Sequence, residues 1–189
     1  MTDPFEWREE PISRHHDRKS FDCGSPELNE YLDRFARQSH ESGGAKTFVA
    51  VLPGEPAGVL GYYSISPGAI EFDRVPATLN TKRLARYEVP VFRLGRLAVS
   101  LAMHGQGLGG DLLLAAGVRA VTVAAQIGGV ALAIDATDAK AARWYERFGA
   151  IPACPRVPAR RARMRPATRA RRLRQAWAPR ARLTSARSR

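Results

Sequence analysis

The spacing of apolar residues predicts a helix and a β-hairpin in the first third of the chain. Ser25-Pro26 is followed by apolar residues at helical spacing, namely Leu28, Tyr31, Leu32, Phe35 and Ala36. The Ser25 side chain is expected to cap this helix, and Gly43-Gly44 to end it. Extended apolar runs at 47–52 and 59–65 flank a Pro/Gly turn and predict an antiparallel hairpin, and a short strand is expected near 11–15.

From residue 91 onward, the pattern of apolar residues predicts a strand, a glycine-rich loop, a helix, a second strand and a last helix. Residues 91–99 indicate a long strand, in which the interior Gly95 predicts either a bulge or the close approach of another backbone. The run 112–134 carries one charge, Arg119, and is interrupted by glycines, so it predicts a buried helix and a buried strand at 130–134 rather than a membrane span. Asp138 is expected to cap a helix over 139–148. The strands at 91–99 and 130–134, which are joined by the glycine-rich loop and the buried helix, are expected to be parallel.

Composition and charge divide the chain into two parts. An apolar share of 44% and a charged share of 25% are typical of a globular protein, and two cysteines exclude a disulfide-stapled secreted scaffold. No secretory signal is predicted, so a cytoplasmic protein is expected. Thirteen of the 30 basic residues lie in 152–189, which contains no acid. We therefore predict a near-neutral domain over 1–151 and a disordered, Arg/Ala/Pro-rich tail over 152–189 that attracts phosphate polymers.

A glycine-rich loop, His104-Gly105-Gln106-Gly107-Leu108-Gly109-Gly110, lies between the strand at 91–99 and the next helix. The first amides of a helix lack partners and its dipole favours anions, so this loop is a candidate phosphate site. A Rossmann fingerprint would follow the first strand, and a P-loop would continue with Gly-Lys-Ser/Thr, so both are excluded. An ordinary tight turn is the alternative.

The order of elements, together with several separated motifs, resembles the GNAT N-acetyltransferases. The family's Q/R-x-x-G-x-G/A loop corresponds to 104–109, with histidine at its first position. The other motifs are Phe21-Asp22-Cys23-Gly24, Gly61-Tyr62-Tyr63-Ser64, Tyr87-Glu88-Val89-Pro90, Leu94-Gly95-Arg96-Leu97-Ala98-Val99 and Trp144-Tyr145-Glu146-Arg147-Phe148-Gly149. These are similar to the TacT/AtaT-like toxins of type II toxin–antitoxin systems. The resemblance implies an α/β (α+β) GNAT acyl-CoA N-acyltransferase fold, a mixed central sheet flanked by helices.

The resemblance also implies where the chemistry takes place. The cofactor-binding loop 104–110 would hold the pyrophosphate of acetyl-CoA, and the strand residues Leu97, Ala98 and Val99 would bind its pantetheine arm and acetyl carbonyl. Tyr145 would donate a proton to the leaving thiolate, although a core aromatic is the alternative for this residue. The tRNA end would be bound by Lys82, Arg83, Arg86 and Arg93, for which a solvated surface is the alternative.

No metal is expected from the sequence. The histidines His15, His16 and His40 are interpreted as surface residues rather than ligands. The two cysteines, Cys23 and Cys154, stand apart from any histidine at zinc spacing.

The tail departs from the resemblance. Similar proteins continue after Ile151 with a final apolar strand, so here the last strand is expected to be missing. The acid-free composition resembles an out-of-frame reading of GC-rich coding sequence, and we hypothesise a frameshifted C-terminus; a genuine RNA-binding tail is the alternative. Loss of the strand would expose the edge of its neighbour, which predicts a weakened enzyme.

The sequence thus predicts an acetyl-CoA-dependent N-acetyltransferase toxin that acetylates the α-amine of aminoacyl-tRNA and blocks translation. Two alternatives stay open: a GNAT that acetylates a protein or small-molecule amine, and a catalytically impaired remnant that binds nucleic acid. The expected partners are aminoacyl-tRNA and a ribbon-helix-helix antitoxin. A homodimer stays open, and no membrane partner is expected.

Overall fold

The computed structural model describes residues 6–76, 79 and 88–153, and the backbone of 173–177. The strands are β1 (Arg8–Pro11), β2 (Lys46–Val51), β3 (Gly61–Glu71), β4 (Glu88–Val99), β5 (Leu132–Ala136), β6 (Ile151–Pro152) and β7 (Leu173–Trp177). The α-helices are α1 (Pro26–Glu30), α2 (Ala36–Ser42), α3 (Leu108–Ile127) and α4 (Ala139–Glu146). The strands form one mixed sheet in the order β1-β2-β3-β4-β5-β7-β6, in which only the neighbours β4 and β5 are parallel.

The predicted first helix is present and ends where expected. A π-helical turn, Tyr31–Phe35, joins α1 to α2, and Gly43 follows with a φ of 82°. The expected cap is wrong, because the Ser25 side chain makes no capping hydrogen bond. Instead, the Ser25 carbonyl accepts from the amides of Leu28 and Asn29, and the turn before the helix is ordered by the Asn29 side chain, whose Oδ1 accepts from the Cys23 amide.

The hairpin and the bulged strand are confirmed. β2 and β3 pair antiparallel, and β3 pairs with β4 along its whole length. Ser64 pairs with Arg96 and Ile65 with Leu94, so Gly95 is the extra residue of a bulge. The first strand lies at Arg8–Pro11 rather than near 11–15.

The apolar run 112–134 forms part of helix α3 and the start of β5, as predicted. The predicted apolar stripe of α3 packs on the sheet and is buried at Leu108, Leu112, Leu113, Ala116 and Ala120. By length and apolarity alone, α3 is the one described helix that would suit a membrane span. Its buried stripe shows that it serves as a core helix, with Arg119 bonded to the sheet at the Tyr63 hydroxyl.

The expectation of a missing last strand is wrong. Residues 173–177 form β7, which lies between β5 and β6 and pairs antiparallel with both. The backbone of these five residues is extended over a length that suffices for a short strand, in a segment whose composition predicted disorder. The edge of β5 is therefore paired, and the reason given for a weakened enzyme does not hold for this edge. Residues 154–172 and 178–189 of the tail lie outside the described part of the chain.

Candidate active site

Strands β4 and β5 separate in the middle of the sheet. Their parallel pairing runs from Phe92 to Leu94 on β4 and stops at the Gly95 bulge. From Gly95 to Val99, β4 keeps its antiparallel partner β3, but its other edge has no strand partner among the described residues. Backbone groups along this edge are available to a ligand that lies between the two strands.

A cavity of about 720 Å³ opens beside this edge. It is enclosed by the end of β4, the glycine-rich loop and one side of α4. The lining includes most of the predicted cofactor-binding residues, namely Leu97, Ala98, Val99, His104, Gly105, Gly107, Gly109 and Gly110. Tyr145, the predicted catalytic residue, lines the same cavity. The fold thus brings together three segments that are far apart in the sequence.

The glycine-rich loop presents unpaired backbone donors at the start of α3. Gly105 and Gly107 have φ angles of 80° and 89°, a region that favours glycine. In the described structure, the amides of Gly105, Gly107, Leu108 and Gly109 donate to no protein acceptor, whereas the next amide, that of Gly110, is bonded to the Gly107 carbonyl. Four free amides at the positive end of a 20-residue helix form an anion-binding cradle.

Two further glycines allow α4 to pack against this cradle. A Cβ on Gly109 would lie 3.3 Å from Cζ2 of Trp144, and one on Gly110 would lie 2.9 Å from Cε1 of Phe148. The absence of side chains therefore lets the aromatic wall of α4 approach the start of α3. This contact places Tyr145, which lies between the two aromatics in the sequence, in the cavity wall.

Tyr145 is half-buried in this wall. Burial raises the pKa of its phenol to about 12. The hydroxyl therefore keeps its proton at neutral pH and can act as a hydrogen-bond donor. The capping of α4 is as predicted, since Asp138 Oδ1 accepts from the Ala141 amide at 2.7 Å.

Two predicted cofactor-binding residues do not line the cavity. The Gln106 side chain turns back and donates to the Ala102 carbonyl at 2.9 Å, and the Leu108 side chain is buried in the core under α3. Only the backbone of Leu108 faces the cradle. His104 lines the cavity, and its Nε2 donates to the Val99 carbonyl at 2.9 Å. This histidine thus fastens the loop to the end of β4.

Sequence reasoning missed two cations in the cavity lining, Lys140 and Arg147. Both lie on or just after α4, one near each end of that helix, and both are exposed. Their charge suits a phosphate-bearing ligand. A sequence signal existed for Lys140, because lysine is almost never fully buried unless it is paired, and this one lies at the start of the helix that carries Tyr145.

The predicted tRNA-binding cations have different outcomes. Arg93 is half-exposed on β4 and forms an ion pair with Asp135 of β5, with Nη2 and Oδ2 3.3 Å apart. Asp135 is the next-to-last residue of β5. Lys82, Arg83 and Arg86 lie outside the described residues, as does Cys154.

The interpretation of His16 as a surface residue is wrong. Its ring is buried, with Nδ1 accepting from the Ser13 amide at 3.0 Å and Nε2 3.3 Å from Glu10 Oε2. His15 reaches the same carboxylate oxygen. Although these three side chains have metal-ligand chemistry, the hydrogen bond at Nδ1 puts the ring proton of a neutral His16 on Nε2. That nitrogen then donates to Glu10, so hydrogen bonding among these side chains accounts for the cluster.

Comparisons with known proteins agree with this geometry. The model of the acetyltransferase (GNAT) family matches residues 5–150. A tRNA-acetylating toxin of Mycobacterium tuberculosis is 35% identical over 137 residues, 72% of this chain and 80% of that protein. A probable toxin TacT of Sinorhizobium fredii is 24% identical over 127 residues, 67% of this chain and 70% of that protein.

Solved structures of toxins share the fold. AtaT complexed with acetyl-methionyl-tRNAfMet has a TM-score of 0.78 and 22% identity, over 91% of this chain and 94% of that chain. AtaTR bound with acetyl-CoA has a TM-score of 0.69 and 26% identity, over 79% of this chain and 88% of that chain. The mixed sheet, the glycine-rich cradle and these matches together show that the chain belongs to the GNAT acetyltransferase family.

Proposed function

We propose that this protein transfers an acetyl group from acetyl-CoA to the α-amine of aminoacyl-tRNA and acts as a toxin by blocking translation. The 35% identical relative named a tRNA-acetylating toxin supports this substrate, as does the fold shared with AtaT in its acetyl-methionyl-tRNA complex. The observation that carries the proposal is the cavity in which a cradle of free amides, an unpaired strand edge and Tyr145 meet.

The residues around the cavity fit acetyl-CoA. The free amides of Gly105, Gly107, Leu108 and Gly109 match the diphosphate, whose oxygens accept several hydrogen bonds at once. Lys140 and Arg147 stand where they can neutralise further phosphate charge. The β4 edge at 95–99 offers backbone groups to the amides of the pantetheine arm, in the manner of an added strand.

The proposed acetyl transfer needs a catalytic role from only one side chain, that of Tyr145. Acetyl-CoA, when bound, supplies a thioester carbonyl; a new N–C bond forms to the acceptor amine as the C–S bond breaks. Tyr145 holds its proton and donates a hydrogen bond where negative charge develops on sulfur. The α-amine of an aminoacyl ester is partly neutral near pH 7, so its proton can pass to water without a dedicated base.

The partners and organisation follow from the same proposal. A ribbon-helix-helix antitoxin is the proposed protein partner, supported by the fold shared with AtaTR. The substrate places the reaction in the cytoplasm, where charged tRNA is found. The catalytic domain spans residues 1–151, and the basic tail 152–189 contributes β7 to its sheet.

The test is acetyl transfer from acetyl-CoA to charged tRNA, with deacylated tRNA, a lysine peptide and a polyamine as competing acceptors. The expected product is an N-acetylated aminoacyl ester, identified by mass spectrometry after release from tRNA. Transfer to the peptide or polyamine alone would favour a different amine substrate. Calorimetry that shows no binding of acetyl-CoA would overturn the proposal altogether.

A further inference from the structure

The sheet face opposite α3 carries a polar band between two apolar clusters. One cluster lies under α1 and α2 and includes Tyr62 and Ala98; the other includes Val91 and Ala133. Between them, the Gly95 bulge resets the alternation of β4, so that Arg93 and Arg96 lie on this same face. Both arginines therefore sit beside the split in the sheet.

The guanidinium of Arg96 is held in a fixed position. Its Cζ lies 3.7 Å from the centroid of the Tyr31 ring. The Tyr31 hydroxyl is hydrogen-bonded in turn to Ser64 Oγ at 3.1 Å and lies 3.4 Å from Thr47 Oγ1, and both hydroxyl-bearing residues are buried. Ser64 is also the cross-strand partner of Arg96. A ring that is anchored at its hydroxyl thus orders the arginine stacked on it.

Arg96 has hydrogen-bonding capacity that the described protein does not use. Within residues 6–76, 79 and 88–153, no carboxylate lies at ion-pair distance from its guanidinium and no acceptor takes its N–H groups. The neighbouring Arg93 is paired with Asp135, and Arg119 with Glu9. An ordered guanidinium with free donors is suited to a phosphate, which it can bind through two parallel hydrogen bonds.

The position of Arg96 relates this free cation to the reaction. The next three residues, Leu97, Ala98 and Val99, line the acetyl-CoA cavity, whose other walls belong to the loop and to α4. Arg96 instead reaches the face covered by Tyr31 of the first helix. An acceptor that approaches the split from the face opposite the cavity therefore passes this guanidinium.

We propose that Arg96 is a positioning residue that binds the phosphate on the 5′ side of the terminal adenosine of the acceptor RNA. The inference rests on the proposed function. In an aminoacyl-tRNA the α-carboxyl group is esterified and carries no charge, so this phosphate is the nearest anion to the amine that every aminoacyl-tRNA carries, whatever its amino acid. Its capture by a rigid guanidinium holds the ester-linked amine at the split in the sheet.

The experiment compares Arg96→Gln with the parent protein on two acceptors. One is aminoacyl-tRNA; the other is the same amino acid esterified to adenosine, which lacks the phosphate. We expect KM for aminoacyl-tRNA to rise about tenfold or more, with a smaller change in kcat, and kcat/KM for the aminoacyl-adenosine to stay at the parent value. Arg96→Lys should recover part of the loss, because it keeps the charge without the two-pronged geometry.

Two controls separate positioning from folding. Arg34→Gln removes an exposed arginine on the first helix and should leave kcat and KM for both acceptors at the parent values. Acetyl-CoA affinity of Arg96→Gln, measured by calorimetry, should match that of the parent. An equal loss on both acceptors, or no loss on either, would overturn the inference alone. A parent protein that acetylates neither acceptor would overturn the proposed function and this inference with it.

Discussion

The guanidinium of Arg119 on α3 forms an ion pair with Glu9 on β1 and fixes the helix to the edge of the sheet. Its Nε donates to the Tyr63 hydroxyl at 2.9 Å, and that hydroxyl donates to Glu9 Oε2 at 2.8 Å. The guanidinium also lies 3.5 Å from the centroid of the Phe48 ring. One arginine thus links α3 to three strands.

This network should contribute measurably to stability. Arg119→Met keeps the packing on Phe48 but leaves Glu9 without its cation, so we expect the free energy of unfolding to fall by about 2 kcal/mol. The measurement is urea denaturation of a double-mutant cycle with Glu9→Gln. The two losses should not add, whereas strict additivity would show that the residues act independently. Arg34→Met, at an exposed pair, should change stability by less than about 0.5 kcal/mol.

The anion cradle depends on the backbone conformation of Gly107. Gly107→Ala would place a side chain at a φ of 89° and strain the loop by about 1–2 kcal/mol. As the loop relaxes, its free amides move, and we expect acetyl-CoA affinity to fall at least tenfold in calorimetry. Gly54→Ala, at an open turn position, is the matched control and should bind as the parent does. An unchanged affinity in Gly107→Ala would contradict the assigned cradle.

Tyr145→Phe removes the one hydroxyl proposed to act on the leaving sulfur. We expect kcat to fall by about 10²-fold or more while acetyl-CoA affinity stays near that of the parent, because the ring still fills the cavity wall. Since the pKa of Tyr145 is raised to about 12, its titration should not appear in the pH–rate profile of the parent between pH 6 and 9. Retention of full kcat by this variant would assign the tyrosine a packing role.

Local sequence signals predicted the parts of the site that depend on local backbone geometry. Glycines at 105 and 107 and the capping Asp138 each act within a few residues of themselves, so their structures follow from short patterns. The burial of His16 and the partner of Arg93 depend on residues from other strands, which the sequence does not identify. Strand β7 was the hardest element to predict, since its pairing partner β5 lies about 40 residues earlier in the sequence.

Two histidines, the buried His16 and the partly buried His40, should make stability depend on pH. Burial lowers the pKa of His16 and of His40, and each ring accepts a backbone amide at Nδ1, from Ser13 and from Thr47 respectively. The folded state therefore binds fewer protons than the unfolded state below the unfolded pKa of about 6.5. Stability should be highest above that pH and fall as the pH decreases from 7.5 to 5.5.

Urea denaturation at several pH values measures this slope. His16→Gln should reduce it, because one of the two neutral rings is removed. His15→Gln, at a mostly exposed ring, should keep the parent slope. A parent protein that gains stability on acidification through this range would contradict the assignment.

The role of the basic tail can be tested by two truncations that differ in β7. Removal of 154–189 takes away the strand that pairs with Leu132–Ala136 and with β6, so the edge of β5 becomes exposed. We expect a loss of stability of several kcal/mol, seen as a lower Tm, and aggregation that rises with protein concentration. Removal of 179–189 keeps β7 and still deletes four arginines, so its Tm should stay near that of the full chain. Equal melting of the two truncated proteins would contradict a stabilising role for β7 in the sheet.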